Sequence, residues 1–187
     1  MQEIRPVPLQ NVLLLGKASN RLSHSLLVDF CAQGQEIHIL DCAIRFRAYD
    51  IAEATKGYNF PILHQMHIQR AFTPYQLLDF INNILDESNN EIVLSRLYIF
   101  LAPSKQFFDG DVKEDERRHL LMKLSEKFGI MKSLGFKFLI SESIKKSDPI
   151  YQTYLTNLSQ SIGTLPKEIE LLETSNGQDS NSLFPRD

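Results

Sequence analysis

The segment Asn11-Val-Leu-Leu-Leu-Gly-Lys-Ala-Ser-Asn-Arg-Leu-Ser-His-Ser-Leu-Leu-Val-Asp-Phe-Cys-Ala32 carries the clearest structural signal in the chain. Its first apolar run, Val12–Leu15, is short and continuous, as is typical of a buried strand. Its last part has apolar residues at helical spacing and predicts a helix over about residues 22–32, with Ser19 or Asn20 as the cap. A strand, a turn and a helix in this order form the first unit of an α/β fold.

The same alternation of strand and helix patterns continues along the chain. Further strands are predicted at residues 36–40, 66–69, 97–101 and 136–140, and a sixth at Glu168–Leu172. Helices are predicted at Tyr49–Thr55, Thr73–Asp86 and Glu114–Leu134, with Thr73 capping the second of them. The predicted fold class is therefore α/β, a three-layer and mainly parallel sheet with helices on both faces. Strand Leu97–Leu101 is apolar on both faces, which predicts a central position.

Composition and length indicate one globular domain. Of the 187 residues, 43% are hydrophobic and 23% are charged, which are ordinary values for such a domain. Residues 1–10 are expected to be an extended lead-in, 11–172 the core and 173–187 a polar, disordered tail. The net charge of −3 excludes a global basic field that would attract nucleic acid or a membrane surface.

The sequence also favours a cytoplasmic location without a membrane partner. No apolar run approaches the ~20 residues that a membrane-spanning helix needs. Residues 1–10 lack the apolar stretch that is typical of a secretion signal.

A phosphate-binding pattern begins at the end of the first strand. In the pattern G-x-x-x-x-G-K-[ST], Gly16 and Ser23 occupy the two ends at the correct spacing. Arg21 stands where the second glycine belongs, and Leu22 stands where the phosphate-binding lysine belongs. The loop is still expected to form, but without the charge that hydrolysis needs. Residual anion or nucleotide binding is predicted for Gly16, Lys17, Ser19, Asn20, Arg21 and Ser23, against the alternative of a plain strand-to-helix turn.

Several other polar residues favour structural roles. Cys31 and Cys42 lie in apolar segments, which predicts buried free thiols. His64 and His67 have the spacing of a metal pair on a helix, but they precede a strand and no cysteine or carboxylate cluster accompanies them, so no metal is expected. Asp41, at the end of a strand, is either a residual metal or water ligand or the cap of a loop.

The order of these segments resembles the ATPase core of the RecA/RadA recombinase superfamily. The resemblance covers about residues 11–142 and rests on four segments. The first two are the Gly16–Ser23 pattern and Ile39-Leu-Asp41 followed by Phe46. The other two are Gln69-Arg-Ala-Phe-Thr-Pro-Tyr-Gln-Leu77 and the strand Leu97–Leu101, which precedes a helix with Glu116-Arg117. It implies the strand order 3-2-4-5-1. It also implies a nucleotide site between neighbouring subunits, formed by the loops at the carboxyl ends of the strands.

Three positions depart from what the resemblance implies for an active ATPase. The phosphate-binding lysine would be Leu22, the catalytic glutamate would fall near Ala43 and the metal-orienting aspartate near Ala102. The chain is therefore expected to be no enzyme and to need no cofactor. The expected function is a non-catalytic accessory or paralogue subunit in a DNA recombination or repair assembly. The alternatives are a nucleotide- or anion-binding regulator without hydrolysis, and an enzyme of unrelated chemistry.

One loop carries the features of a contact site. The segment Pro103–Asp111 is expected to be an exposed loop, and it places Phe107 and Phe108 beside Lys105, while Lys145 and Lys146 follow the next strand. Exposed aromatic rings beside lysines are typical both of single-stranded DNA binding and of protein interfaces. The predicted partner is a RecA-like protein or a second copy of this chain, with single-stranded DNA as the other alternative. Acidic residues in the same segment favour a protein contact or a solvated loop.

Overall fold

The computed structural model describes residues 11–58, 62–142, 147–165 and 167–168, and within them strands alternate with helices. The strands are β1 (Val12–Leu15), β2 (Ile37–Asp41), β3 (Met66–Arg70), β4 (Leu97–Leu101), β5 (Lys137–Glu142) and β6 (Lys167–Glu168). The α-helices are α1 (Ser19–Ala32), α2 (Ala48–Thr55), α3 (Pro74–Asp86), α4 (Glu91–Ser95), α5 (Glu114–Ser133) and α6 (Pro149–Ile162). Short 3-10 turns lie at Ile62–Gln65 and Lys105–Phe108.

The strands form one sheet in the order β3-β2-β4-β5-β1-β6, and each strand pair is parallel. The predicted order 3-2-4-5-1 and the α/β fold class are therefore confirmed, with β6 added beside β1. Asp41 is aligned with Arg70 on one side and Leu101 on the other, and Leu15 is aligned with Glu142. This register brings the carboxyl ends of the strands to the same edge of the sheet, called the carboxyl edge below.

Both faces of the sheet are covered by helices. One buried cluster joins the sheet to α3, α5 and α6, and a second joins it to α1 and α2. Strand β4 is buried along its whole length between β2 and β5, as its two apolar faces predict. The inward face predicted for the long helix is also confirmed, because its members are all buried: Leu120, Leu121, Leu124, Phe128 and Met131.

The sequence analysis did not predict helix α6, although Asp148 and Pro149 form a typical helix start. The Asp148 carboxylate accepts hydrogen bonds from the backbone N–H groups of Ile150 (2.8 Å) and Tyr151 (3.2 Å), and Pro149 occupies the first turn. The predicted cap Thr73 is confirmed at α3, where its hydroxyl accepts from the N–H of Gln76 at 3.2 Å. Among the described residues, no helix is long and apolar enough to cross a membrane.

An aromatic cluster at Phe128 should contribute strongly to stability. The Phe128 ring is fully buried and meets Phe100 edge-to-face at 4.8 Å between centroids, with Phe138 at 5.5 Å. We expect Phe128→Ala to lower the free energy of unfolding by about 3–5 kcal/mol because it leaves a cavity. Ile130→Ala, on the exposed side of α5, is the matched control and should cost less than about 1 kcal/mol. Urea unfolding monitored by circular dichroism measures both, and equal losses would contradict this account of the core.

Candidate functional site at the carboxyl edge

The connection between β1 and α1 is a tight turn. Only Gly16, Lys17 and Ala18 separate the strand from the helix, which begins at Ser19. Gly16 has a φ of 102°, which glycine tolerates, and its N–H donates to the backbone carbonyl of Glu142 at 3.1 Å. Of the two alternatives for residues 16–23, this geometry favours the plain strand-to-helix turn, because residues 19–23 are already helical. Anion binding by these residues stays a prediction. The predicted caps Ser19 and Asn20 are the first two residues of the helix, the cap position is Ala18, and no side chain caps the helix.

The side chains of the predicted anion site point in different directions. Ser19 and Ser23 are buried, and their hydroxyls donate to the backbone carbonyls of Glu142 (3.1 Å) and Asn20 (2.8 Å). The amide of Asn20 donates to the carbonyl of Arg45 at 3.2 Å. Lys17 and Arg21 are exposed, and Leu22 packs partly buried against the second core cluster. The two hydroxyls and the Asn20 amide therefore already have hydrogen-bond partners within the protein.

A buried carboxyl group lies where the predicted phosphate loop would meet the sheet. Glu142, the last residue of β5, is fully buried. Its Oε1 accepts from the N–H of Ser104 (3.1 Å) and the hydroxyl of Tyr154 (3.0 Å), and its Oε2 accepts from the Ser104 hydroxyl (2.8 Å). Removal from water dominates over these bonds and raises the pKa of Glu142 to about 7. Sequence analysis missed this residue, since nothing in the pattern distinguishes it from a solvated strand end.

Asp41 holds a turn at the end of β2. Its carboxylate is inaccessible to solvent and accepts from the N–H groups of Arg45 (2.7 Å) and Phe46 (3.3 Å), while the Nε of Arg70 lies 3.4 Å away. Of the two roles considered for Asp41, the structure shows the loop cap. The turn forces Ile44 to a φ of 53°, a left-handed conformation that costs a β-branched residue on the order of 1–3 kcal/mol.

His24 joins this turn to α1. One ring nitrogen, Nδ1, lies 2.6 Å from the carbonyl of Asn20, and the other, Nε2, accepts from the N–H of Arg47 at 3.1 Å. Because a carbonyl only accepts, Nδ1 carries the proton and the ring is neutral. Burial lowers the pKa of His24, which favours that neutral form. The ring also stacks on Phe46 at 5.6 Å, so this histidine acts as a structural link.

The two alanines at the expected catalytic positions lie at the carboxyl edge. Ala102 follows β4 with a φ of 50°, is buried, and donates its N–H to the carbonyl of Ser141 at 2.7 Å. Ala43 lies beside a surface cleft. Neither side chain can move a proton or bind a metal. Among the described residues, no group of three or more His, Cys, Asp or Glu side chains could hold a metal ion.

The loop after β4 differs from the exposed segment that the sequence predicts. Phe107 is fully buried in the first core cluster, so its predicted exposure is wrong. The cause is the 3-10 turn Lys105–Phe108, which directs the ring inward. The Gln106 amide then donates to the carbonyls of Cys42 (2.7 Å) and Ala71, joining this loop to the ends of β2 and β3.

The other predicted contact residues are only partly available. Phe108 is half-buried, meets Tyr151 edge-to-face at 6.0 Å, and has the guanidinium of Arg117 at 5.1 Å from its ring centroid. Lys105 is exposed as predicted. Lys145 and Lys146 lie outside the described residues. Stacking of bases between Phe107 and Phe108 is therefore not possible in this conformation.

A cleft of about 230 Å³ lies at the carboxyl edge, and the exposed apolar residues Ile44 and Phe72 line it. It is called the edge cleft below. Its lining residues are Asp41, Cys42, Ala43, Ile44, Ala71, Phe72, Lys105, Gln106 and Asp109. Ile44 and Phe72 are 71% and 63% exposed, whereas Cys42, Ala71 and Gln106 are buried. The buried thiol predicted for Cys42 is confirmed, as is that of Cys31. A large apolar group exposed at each of two strand ends is typical of an interaction surface.

Comparisons with known proteins assign no family. No protein-family model matches the sequence, and a search of curated proteins finds no similar sequence. The arguments about function therefore rest on the geometry described above.

Glu142 should make stability depend on pH in a direction opposite to that of a salt-bridged carboxylate. Its pKa is raised from 4.5 to about 7, so the folded protein binds the proton more tightly than the unfolded chain. Stability should therefore fall as pH rises from about 4.5 to about 7, by roughly 3 kcal/mol for this group. Urea unfolding at several pH values measures the effect.

Glu142→Gln provides the control for that measurement, because the amide keeps an acceptor for Ser104 and Tyr154 but does not titrate. The lowered pKa of His24 has the opposite effect, because it makes the protein lose stability as the pH falls below 6.5, the ordinary pKa of histidine. This effect is the same in the natural protein and in the variant. The difference between the natural protein and the variant therefore reports Glu142 alone. A difference that stays constant from pH 5 to 8 would contradict the assignment.

Proposed function

We propose that this protein is a non-catalytic RecA-like subunit that acts through protein contacts in a DNA recombination or repair assembly. Its sheet order agrees with the order that the RecA/RadA resemblance implies. The proposed partner is another RecA-like chain, either a different protein or a second copy of this one. The proposed location is the cytoplasm.

The observation that carries this proposal is the short turn between β1 and α1. A phosphate-binding loop needs several backbone N–H groups that face outward around the phosphates. Here the Gly16 N–H and the Ser19 hydroxyl both bond to the carbonyl of Glu142 inside the protein. Two of the polar groups at the start of this pattern are thus used to hold the helix against the sheet. This arrangement favours an interaction protein over an ATPase.

The same geometry weakens two alternatives that the sequence leaves open, anion binding and single-stranded DNA binding. An anion-binding regulator would have to bind through Lys17, Arg21 and the start of α1, because the Ser19 and Ser23 hydroxyls are buried and already bonded. Single-stranded DNA binding would need the aromatic ring of Phe107, which is in the core. The exposed apolar residues Ile44 and Phe72 remain, and aromatic and aliphatic groups of this kind are what protein interfaces bury.

ATP turnover should not exceed the background of a blank purification. We expect Leu22→Lys alone to leave turnover at that level, because the turn is too short and Ala43 and Ala102 still lack the needed carboxylates. Release of inorganic phosphate with ATP and Mg²⁺ measures this. Magnesium-dependent turnover that disappears in Ser23→Ala would contradict the proposal, since Ser23 is the last residue of the phosphate-binding pattern.

The protein should assemble through its carboxyl edge. Sizing with light scattering, alone and after mixing with a RecA-type protein of the same genome, should show an assembly in at least one case. We expect Phe72→Asp to weaken it, because the 63% exposed ring would be buried on association. Ile92→Asp, at a 61% exposed position on α4, is the matched control and should leave it intact. Deleting residues 173–187 should also leave it intact. A monomer in both cases would overturn the proposal of a contact protein.

A further inference from the structure

The edge cleft combines features that fit a copy of itself. We propose that it is a two-fold symmetric interface, in which two copies of this chain pair cleft to cleft. This inference rests on the proposed role in protein contacts and names the partner. It depends on three observations: a strained, exposed isoleucine, a rigid cleft base, and charges of both signs on the same rim.

The first observation is the conformation of Ile44. The Asp41 carboxylate holds the turn through the N–H groups of Arg45 and Phe46, and the result is a left-handed isoleucine whose side chain is 71% exposed. The exposed isoleucine side chain itself adds little to folding, since it contributes little to the core. Glycine or asparagine would occupy the position with less strain. A strained residue that presents an apolar group to solvent indicates a role in binding.

The second observation is that the base and rim of the cleft are held in place before any partner binds. Gln106 fixes the base through its bonds to the carbonyls of Cys42 and Ala71. On the rim, the N–H of Phe72 donates to the side-chain carbonyl of Gln76 at 2.8 Å. A preformed surface loses little conformational entropy on association, so apolar contacts there contribute efficiently to affinity.

The third observation decides the occupant. Lys105 and Asp109 both line the edge cleft and both are exposed, and no ion pair between them occurs among the described residues. A nucleic acid or a strongly acidic peptide would suit a rim of one sign. A rim with one cation and one anion beside an apolar pair is complementary to itself. A two-fold axis through the cleft can place Lys105 of each copy against Asp109 of the other, and Ile44 against Phe72.

Charge exchange tests this pairing. We expect the natural full-length chain to be a dimer by sedimentation equilibrium, with a concentration-dependent mass. Lys105→Glu alone and Asp109→Lys alone should each raise the dissociation constant by about tenfold or more, because two like-charge contacts form in each dimer. Mixing the two variants should restore the natural dissociation constant. In the mixed dimer, the introduced glutamate of one copy faces the introduced lysine of the other, and the unchanged Asp109 faces the unchanged Lys105. Both contacts are therefore attractive again.

A second pair of variants separates binding from folding. Ile44→Gly relieves the backbone strain, so its urea midpoint at sub-micromolar concentration should be equal to or above that of the natural protein. Its dimer dissociation constant should nevertheless rise by about tenfold or more, because the apolar anchor is lost. Ile92→Ala is the matched control, since it removes an exposed isoleucine from α4, and it should leave the dissociation constant unchanged.

The outcomes distinguish this inference from the proposed function. A chain that is monomeric at every concentration, or two charge variants that do not restore each other on mixing, would overturn the two-fold interface. A monomeric chain that still forms a complex with a RecA-type protein would overturn the interface and leave the proposed function standing. Measurable ATP turnover by a dimer would overturn the proposed function and leave the two-fold interface standing.

Discussion

The burial of Glu142 is the constraint around which the carboxyl edge is organised. Its carboxyl group accepts three hydrogen bonds, from the loop after β4 and from α6, and its backbone carbonyl receives the Gly16 N–H and the Ser19 hydroxyl. One residue therefore ties together β5, the β1–α1 turn, the β4 loop and a helix that follows later in the chain. Because a buried carboxyl group without partners is costly, each of these segments is held close to its place.

This arrangement is compatible with the non-catalytic role that we propose. In a nucleotide-binding site, the groups at the strand ends are kept free for a ligand and must be stabilised from elsewhere. Here the corresponding groups bond to one another. The Ser19 hydroxyl donates to a carbonyl, the Asp41 carboxylate accepts from backbone N–H groups, and the His24 ring bonds to two main-chain atoms. The polar groups thus contribute to folding, and Ile44 and Phe72 are exposed apolar residues at the same edge.

Local patterns in the sequence were sufficient for the sheet but not for the site. Strand Leu97–Leu101 and the buried stripe of α5 are contiguous or regularly spaced apolar residues, so their burial could be predicted. The start of α1 could not be predicted from such a pattern, since no side chain caps it and the Ser19 hydroxyl bonds to Glu142, 123 residues away along the chain. The inward turn of Phe107 depends likewise on tertiary contacts, since two adjacent phenylalanines in a polar segment have no periodicity. The left-handed Ile44 contradicts its own propensity, and only the position of Asp41 explains it.

Gln106 has a consequence for the motions of this edge. By donating to the carbonyls of Cys42 and Ala71, its side chain extends the hydrogen bonding of the sheet past the last paired residues of β2 and β3. Loops beyond strand ends usually open locally and exchange their amide hydrogens quickly. In this protein, the N–H groups of Cys42 and Ala71 donate to the carbonyls of Leu101 and Asp41 within this cross-linked layer, and their hydrogens would exchange on the time scale on which the whole sheet unfolds.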